Sequence, residues 1–161
     1  YGQEKLNAEK TIKQFSESEG IKFTILRVSS AFGFDPRFSD QGVINKWLHY
    51  AINQNNLQLY NSPDSLINFI SFDNVSIALR NSIDLDLEGI FNIGSENSIS
   101  LQEIINVIST ITNRKLDYEI LDSKRRYFKI DINKFYNQTG IIFRINPLID
   151  IGNLYKSIIQ I

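Results

Sequence analysis

Tyr1 and Lys5 form a residue pair able to transfer a proton. On a helix, side chains four positions apart point the same way. A free Tyr has a pKa near ~10, and a nearby ammonium lowers that pKa because it favours the phenolate. Such a Tyr can exchange a proton with a substrate hydroxyl near neutral pH. The alternative interpretation is an ordinary amphipathic helix that starts with an aromatic residue and a Lys.

The helix that carries this pair also has an apolar stripe. At ~100° per residue, five side chains fall within an arc of roughly 80°: Tyr1, Lys5, Ala8, Ile12 and Phe15. The stripe predicts that this face packs on a core. Tyr1 and Lys5 are therefore expected at the edge of that core and not in open solvent.

Composition narrows the class of protein. The chain has 161 residues, 42% hydrophobic and 22% charged, with a net charge of −1. One folded domain is expected, and nothing indicates a nucleic-acid or anionic-membrane surface. The absence of Cys and the single His49 exclude a disulfide, a thiol nucleophile and a multi-His metal site. No apolar run approaches the ~20 residues of a membrane span.

Helical and strand patterns alternate along the chain, which is typical of the α/β class. Strands are predicted at 22–29, 57–60, 66–72, 89–94 and 116–121. Helical patterns cover 1–19, 43–53, 75–83, 131–139 and 148–159, and another helix opens at the capping box of 100–103. Residues 30–42 are predicted to be a loop. Because ligands bind beyond the carboxyl ends of strands in open α/β sheets, this loop is a candidate binding segment.

Five segments together resemble the NAD-dependent epimerase/dehydratase family, the extended short-chain dehydrogenase/reductases. The first is Tyr1-x-x-x-Lys5, which is similar to the family's catalytic pair. The others are LRVSSAFG at 26–33, NFISFDNV at 68–75, GIFNIG at 89–94 with SLQEI at 100–104, and DINKFYNQTG at 131–140. No single segment is specific, but their order along almost the whole chain favours this family over chance.

The resemblance implies a fold, a cofactor and a set of roles. The fold would be the carboxyl-terminal part of a Rossmann-like parallel sheet plus a small mixed α/β substrate-binding lobe. Tyr1 would exchange the proton of a sugar hydroxyl, and Lys5 would lower the pKa of Tyr1 and bind the nicotinamide ribose. NAD, with NADP as the alternative, would be the cofactor, and Val28 and Ser30 would lie beside it. Ser30 would also touch a nucleotide-sugar substrate.

Three features depart from the family pattern. No glycines in the chain are spaced as G-x-G-x-x-G, so the loop that cradles a dinucleotide pyrophosphate is absent from it. Ser30 stands where the family has Asn and offers fewer hydrogen-bond donors. Ile67 stands where the family has the Arg that grips the nucleotide diphosphate, so that contact is lost or supplied elsewhere.

Several polar residues have both a functional and a structural interpretation. Arg125 and Arg126 either bind the diphosphate, which suits a guanidinium fork, or form a solvated basic turn. Asp73 is interpreted as a helix cap, Glu103 as half of a capping box, and His49 as a surface or packing residue.

The sequence therefore predicts part of an NAD(P)-dependent nucleotide-sugar epimerase or dehydratase. A nucleotide-sugar or keto-sugar reductase and a non-catalytic, family-like binding protein are the alternatives. The Rossmann-like part is assigned to 1–40 and about 66–95, and the lobe to about 41–65 and 96–161. The isolated chain is expected to be inactive and to expose an apolar sheet edge. A cytoplasmic location and, from the resemblance, a homodimer are expected for the full-length protein.

Overall fold

The computed structural model describes residues 2–34 and 42–160, and helices alternate with strands throughout them. The helices are α1 (Gly2–Glu19), α2 (Val43–Ile52), α3 (Phe72–Asp84), α4 (Leu101–Thr112), α5 (Asn133–Thr139) and α6 (Pro147–Ile159). The strands are β1 (Thr24–Val28), β2 (Ser30–Phe32), β3 (Leu57–Leu59), β4 (Leu66–Ile67), β5 (Phe69–Ser71), β6 (Gly89–Ile93), β7 (Ile99–Ser100) and β8 (Tyr118–Ile120). Tyr1 and residues 35–41 lie outside the described residues.

Parallel strand pairs form the framework. β1 pairs with β6, with Thr24 opposite Gly89 and Val28 opposite Ile93. β2 pairs with β5 and β3 with β8, also in parallel, whereas the short β4 and β7 are antiparallel. Parallel partners need long crossovers, and helices supply them here. The α/β class and the partial Rossmann-like sheet predicted from the sequence are confirmed.

Two apolar clusters hold these elements together. The larger one, here called the lobe cluster, joins α2, α4 and α6 and consists of Phe32, Ile44, Trp47, Leu48, Ala51, Leu57, Leu59, Phe69, Ile99, Leu101, Ile104, Ile105, Ile108, Ile151 and Leu154. The smaller one, here called the sheet cluster, lies around β6 and consists of Ile70, Ala78, Leu87, Phe91, Ile93, Phe135 and Phe143. Most of their members recur at the spacing of one helix face or one strand face, as burial on one side requires.

The boundaries differ from the sequence predictions in instructive ways. The segment predicted as a loop at 30–42 begins with β2. The strand predicted over 66–72 is split into β4 and β5 at Asn68, whose side chain bonds away from the ladder. Asp73 does not cap α3, because Ser71 occupies the cap and its Oγ accepts from the Asn74 amide at 3.2 Å. The predicted cap Ser100 does accept from the Glu103 amide, at 3.0 Å.

Candidate functional site at the carboxyl ends of the parallel strands

Lys5 lies in the first turns of α1, and its side chain is exposed. The predicted stripe is exposed with it, since Ile12 is 44% and Phe15 58% accessible. Within the described part of the chain, Ser16 is the one residue of α1 that is buried. The expectation that the stripe packs on a core is therefore wrong for these residues, because no described element covers it. Tyr1, the predicted proton donor, lies outside the described residues.

An ion pair joins α1 to β1. The Arg27 guanidinium donates from Nε to Glu9 Oε1 at 2.8 Å and from Nη2 to Glu9 Oε2 at 2.5 Å. This two-pronged geometry suits a planar guanidinium and a carboxylate. The hydrogen bond from Arg27 lowers the pKa of the Glu9 carboxyl below its usual value, and the same contact raises the pKa of Arg27. The helix that carries Lys5 is thereby tied to the strand that ends at Val28.

The chain bends between β1 and β2 at the predicted cofactor-binding residues. Val28 ends β1 with 39% of its surface exposed, and Ser30 begins β2 with an exposed side chain. The Ser29 amide donates to the Ile93 carbonyl at 2.8 Å, and the Ser30 amide donates to the Asn68 carbonyl at 3.1 Å. The backbone of this bend is thus fixed on both sides. Ser29 Oγ is buried and has no hydrogen-bond partner among the described residues.

Asn68 is a site residue that the sequence interpretation missed. It is 3% exposed, and its Nδ2 donates to the Ser95 carbonyl at 2.8 Å while its Oδ1 accepts from the Ser95 amide at 3.0 Å. Gly94 lies so close that a Cβ there would collide with Asn68 Oδ1. A single Asn inside the apolar run LINFIS was the available signal. Gly94 is therefore required for the close approach of the Asn68 side chain.

Arg125 and Arg126 lie in the segment after β8, and both are exposed. Arg126 is anchored through its backbone: its amide donates to Ser65 Oγ at 3.0 Å, and its carbonyl accepts from the Leu66 amide at 2.9 Å. Arg125 instead lies over the Tyr127 ring, 4.8 Å from its centroid. The two arginines, equivalent in sequence, therefore have different surroundings.

The segment from Leu66 to Asn68 connects these parts. Arg126 bonds to the backbone of Leu66 and Ser30 to that of Asn68. The two contact points are two residues apart, which is about 7 Å of extended chain. Between them, Ile67 packs against the lobe cluster, so the position of the family's Arg is apolar. Backbone hydrogen bonds thus attach Ser30 and Arg126 to the same short segment, and the Glu9–Arg27 pair links the helix that carries Lys5 to β1.

The described residues fit one end of a dinucleotide but not the other. The β1–β2 bend offers a fixed backbone and the unpartnered Ser29 hydroxyl beside the exposed Val28. By contrast, no two glycines of the chain are spaced to bring backbone amides around a pyrophosphate. In residues 2–34 and 42–160, no group of three His, Cys, Asp or Glu side chains could hold a metal ion.

Solved structures share this fold. One is a UDP-N-acetylglucosamine 4-epimerase from Methanobrevibacter ruminantium in complex with UDP-N-acetylmuramic acid, with 21% identity, a TM-score of 0.85 and coverage of 99% of this chain and 53% of that one. Another is a UDP-glucuronic acid 4-epimerase from Bacillus cereus in complex with UDP-glucuronic acid and NAD, with 16% identity, a TM-score of 0.83 and coverage of 96% and 51%. The fold that the family resemblance implied is therefore confirmed.

The sequence is also similar to a curated protein. The dTDP-4-dehydro-6-deoxyglucose reductase of Escherichia coli is 30% identical over 117 residues, which is 71% of this chain and 37% of that protein. No protein-family model matches the sequence. The chain therefore spans about half the length of the solved structures it matches and less of the curated relative. None of the described helices is long and apolar enough to cross a membrane.

Proposed function

We propose that this chain supplies the proton-transfer and substrate-binding side of an NAD(P)-dependent nucleotide-sugar epimerase or dehydratase. The observation that carries the proposal is the match of 99% of the chain to the fold of a sugar-nucleotide 4-epimerase. The position of Val28 and Ser30 at the carboxyl end of the parallel pair β1–β6 supports it, because ligands bind at that edge of α/β sheets.

In this proposal each residue has a separate role. Tyr1 exchanges a proton with the sugar hydroxyl, and the Lys5 ammonium lowers the pKa of Tyr1 and binds the nicotinamide ribose. A nicotinamide cofactor, when bound, would supply the hydride-transfer chemistry. The β1–β2 bend at Val28 and Ser30 orients the nicotinamide and the sugar. Its backbone amides are already bonded, so the bend is pre-formed.

For the diphosphate we favour Arg126 over Arg125. Ile67 removes the guanidinium that the family places on β4, so a cation must come from elsewhere. The backbone of Arg126 is bonded to Ser65 and Leu66, directly beside Ile67, and this fixes its position. Arg125 rests on Tyr127 and is assigned a supporting role. A guanidinium fork held in this way suits a diphosphate because it donates two parallel hydrogen bonds.

The proposal also implies that a glycine-rich nucleotide-binding half completes the site. β1 pairs with β6 on one edge, and no described strand pairs with its other edge. Apolar residues on α1 and α3 are also exposed, including Phe15 at 58% and Ile83 at 77%. Residues 1–161 alone are therefore expected neither to bind NAD nor to turn over a nucleotide sugar. Detectable NAD binding by this chain would contradict that expectation.

The test uses the protein expressed from its complete reading frame. It is incubated with UDP-glucose, UDP-N-acetylglucosamine and dTDP-glucose, and the sugar products are identified by NMR. Tyr1→Phe is expected to lower kcat by about 10²–10⁴-fold, the usual contribution of a positioned acid or base. Tyr136→Phe is the matched control, because it removes the same hydroxyl group from an exposed residue of α5. Equal rates for the two variants would refute the role of Tyr1.

A reductase is the second candidate, favoured by the 30% identity to the dTDP-4-dehydro-6-deoxyglucose reductase. Epimerases regenerate their cofactor within each cycle, whereas a reductase consumes one NAD(P)H per product. Cofactor that stays bound through dialysis and is not consumed supports the epimerase. Stoichiometric oxidation of added NADPH with a keto-sugar supports the reductase. If neither occurs although the nucleotide sugar binds, the protein is a non-catalytic binding protein.

A further inference from the structure

We propose that Glu9 and Arg27 are a positioning pair that sets the orientation of α1, and with it Lys5, relative to the carboxyl end of β1. The catalytic meaning of this pair rests on the proposed function. The mechanical statement does not, because it concerns only how a helix is fastened to a strand. Neither residue is placed in contact with substrate or cofactor.

The geometry links the two halves of the candidate site by a short route. Glu9 lies four residues after Lys5, about one helical turn or 6 Å along α1, on the same side of the helix. Arg27 immediately precedes Val28 in β1. The two hydrogen bonds of 2.8 and 2.5 Å therefore connect points that are one turn from Lys5 and one residue from Val28.

The fastening is ionic because α1 has little apolar packing in the described part of the chain. The Glu9 side chain is only 16% exposed, whereas the stripe residues Ile12 and Phe15 are 44% and 58% exposed. Near the far end of the helix Ser16 is buried and its carbonyl accepts from the Ile21 amide at 3.2 Å, a local bond that ends the helix and does not reach another element. The forked pair lies about 10 Å along the axis from that end and joins α1 to β1. Its loss removes this link between the helix and the strand.

A bidentate pair fixes direction better than a point charge does. Arg presents two parallel N–H groups in a rigid plane, while Lys presents a compact charge on a flexible stem. Arg27→Lys therefore keeps the positive charge but loses the two parallel hydrogen bonds that orient α1. Glu9→Gln keeps the shape and loses the charge. Exchange of both residues, Glu9→Arg with Arg27→Glu, restores a forked pair.

Spin-label distances test this directly, because the chain has no Cys and two introduced Cys are labelled uniquely. Lys10→Cys on α1 and Lys156→Cys on α6 are exposed positions. The parent pair of labels is expected to give one narrow distance distribution. The Glu9→Gln and Arg27→Lys variants are expected to give a broader distance distribution. The double exchange is expected to restore the narrow one. Glu17→Gln is the matched control, since the Lys13–Glu17 pair on the same helix is solvent-exposed with 3.9 Å between its charged atoms.

Amide hydrogen exchange separates loss of orientation from loss of the fold. In Glu9→Gln and Arg27→Lys, amides of α1 are expected to exchange faster while those of α4 stay protected. In the complete enzyme the same two variants are expected to lower kcat and leave KM unchanged, and the double exchange to restore kcat. Unchanged distance distributions in both single variants would overturn the proposal. If the single variants change the distance distribution but the complete protein turns over no nucleotide sugar, the positioning pair is supported and the proposed function is refuted.

Discussion

Helices α1 and α4 both carry apolar residues, with many more of them in α4, and those residues differ in burial. In α4, Leu101, Ile104, Ile105 and Ile108 are buried within the lobe cluster. In α1, the apolar residues Leu6, Ile12 and Phe15 are 44–58% exposed. A helix is stabilised mainly by the surface it covers and only weakly by its own propensity. The difference between the two helices therefore reflects both the richer apolar face of α4 and the neighbours that cover it.

The same contrast in exposure distinguishes the lobe cluster from the part of the sheet where β1 has an unpaired edge among the described strands, here called the open side. The lobe buries its apolar residues against α2, α4 and α6. On the open side, β1 has one partnered edge, and Leu79 and Ile83 of α3 are 51% and 77% exposed. Because large exposed apolar patches mark interaction sites, we predict that another structure covers this side. The expected apolar edge and faces are thus confirmed for the described residues, while a homodimer stays a prediction.

Replacing one Ile in each helix is the strongest test of this contrast. Ile104→Ala, at a position with 0% exposure, is expected to lower the free energy of unfolding by about 2–5 kcal/mol, since it leaves a cavity in the lobe cluster. Ile12→Ala, at 44% exposure, is expected to change it by less than about 0.5 kcal/mol. Urea unfolding followed by circular dichroism measures both. Comparable losses in the two variants would show that α1 is packed in solution.

Two glycines provide the next test. Gly94→Ala introduces a Cβ against Asn68 Oδ1 and is expected to cost about 1–3 kcal/mol, as overpacking does. Gly152→Ala in α6 is the control, because the nearest atom to its Cβ is Ile111 Cγ2 at 4.0 Å. The control is expected to stabilise the chain by about 0.5–1 kcal/mol through helix propensity. Thermal unfolding measures both variants, and their melting temperatures should shift in opposite directions. A stabilising Gly94→Ala would show that the Asn68 side chain moves aside at little cost.

The sequence predicted the elements whose signals are local. The Ser100 cap and the strand at 89–94 both follow from residues next to one another, and the structure contains each of them. The split of 66–72 at Asn68 was not predicted, because the side-chain partner is Ser95, 27 residues away. The exposure of the α1 stripe also escaped prediction, since periodicity indicates which face is apolar but not whether anything covers it. Equivalent arginines in sequence were distinguished only by tertiary contacts.

The caps of α3 and α4 test whether the two regions unfold together. Ser71 Oγ accepts from the Asn74 amide at 3.2 Å, and Ser100 Oγ accepts from the Glu103 amide at 3.0 Å. Loss of either cap is expected to cost about 1 kcal/mol. In Ser100→Ala this loss should lower global stability, because α4 is central to the lobe cluster. In Ser71→Ala it should mainly speed local amide exchange in α3. A loss of global stability in Ser71→Ala would show that the two regions unfold as one cooperative unit.

Lowering the pH is expected to have the smallest effect on stability, and the effect should be confined to α1. The hydrogen bond from Arg27 holds the pKa of Glu9 below its usual value, so the charged carboxylate favours the docked helix. That contribution is fully present above the unfolded pKa of about 4.3 and is lost as the pH falls through the lower pKa of the folded state. Amide exchange of α1, corrected for intrinsic rates, should therefore rise over that acidic range while α4 stays protected. Glu9→Gln should remove the dependence, and an equal response of α1 and α4 would assign it to global acid unfolding.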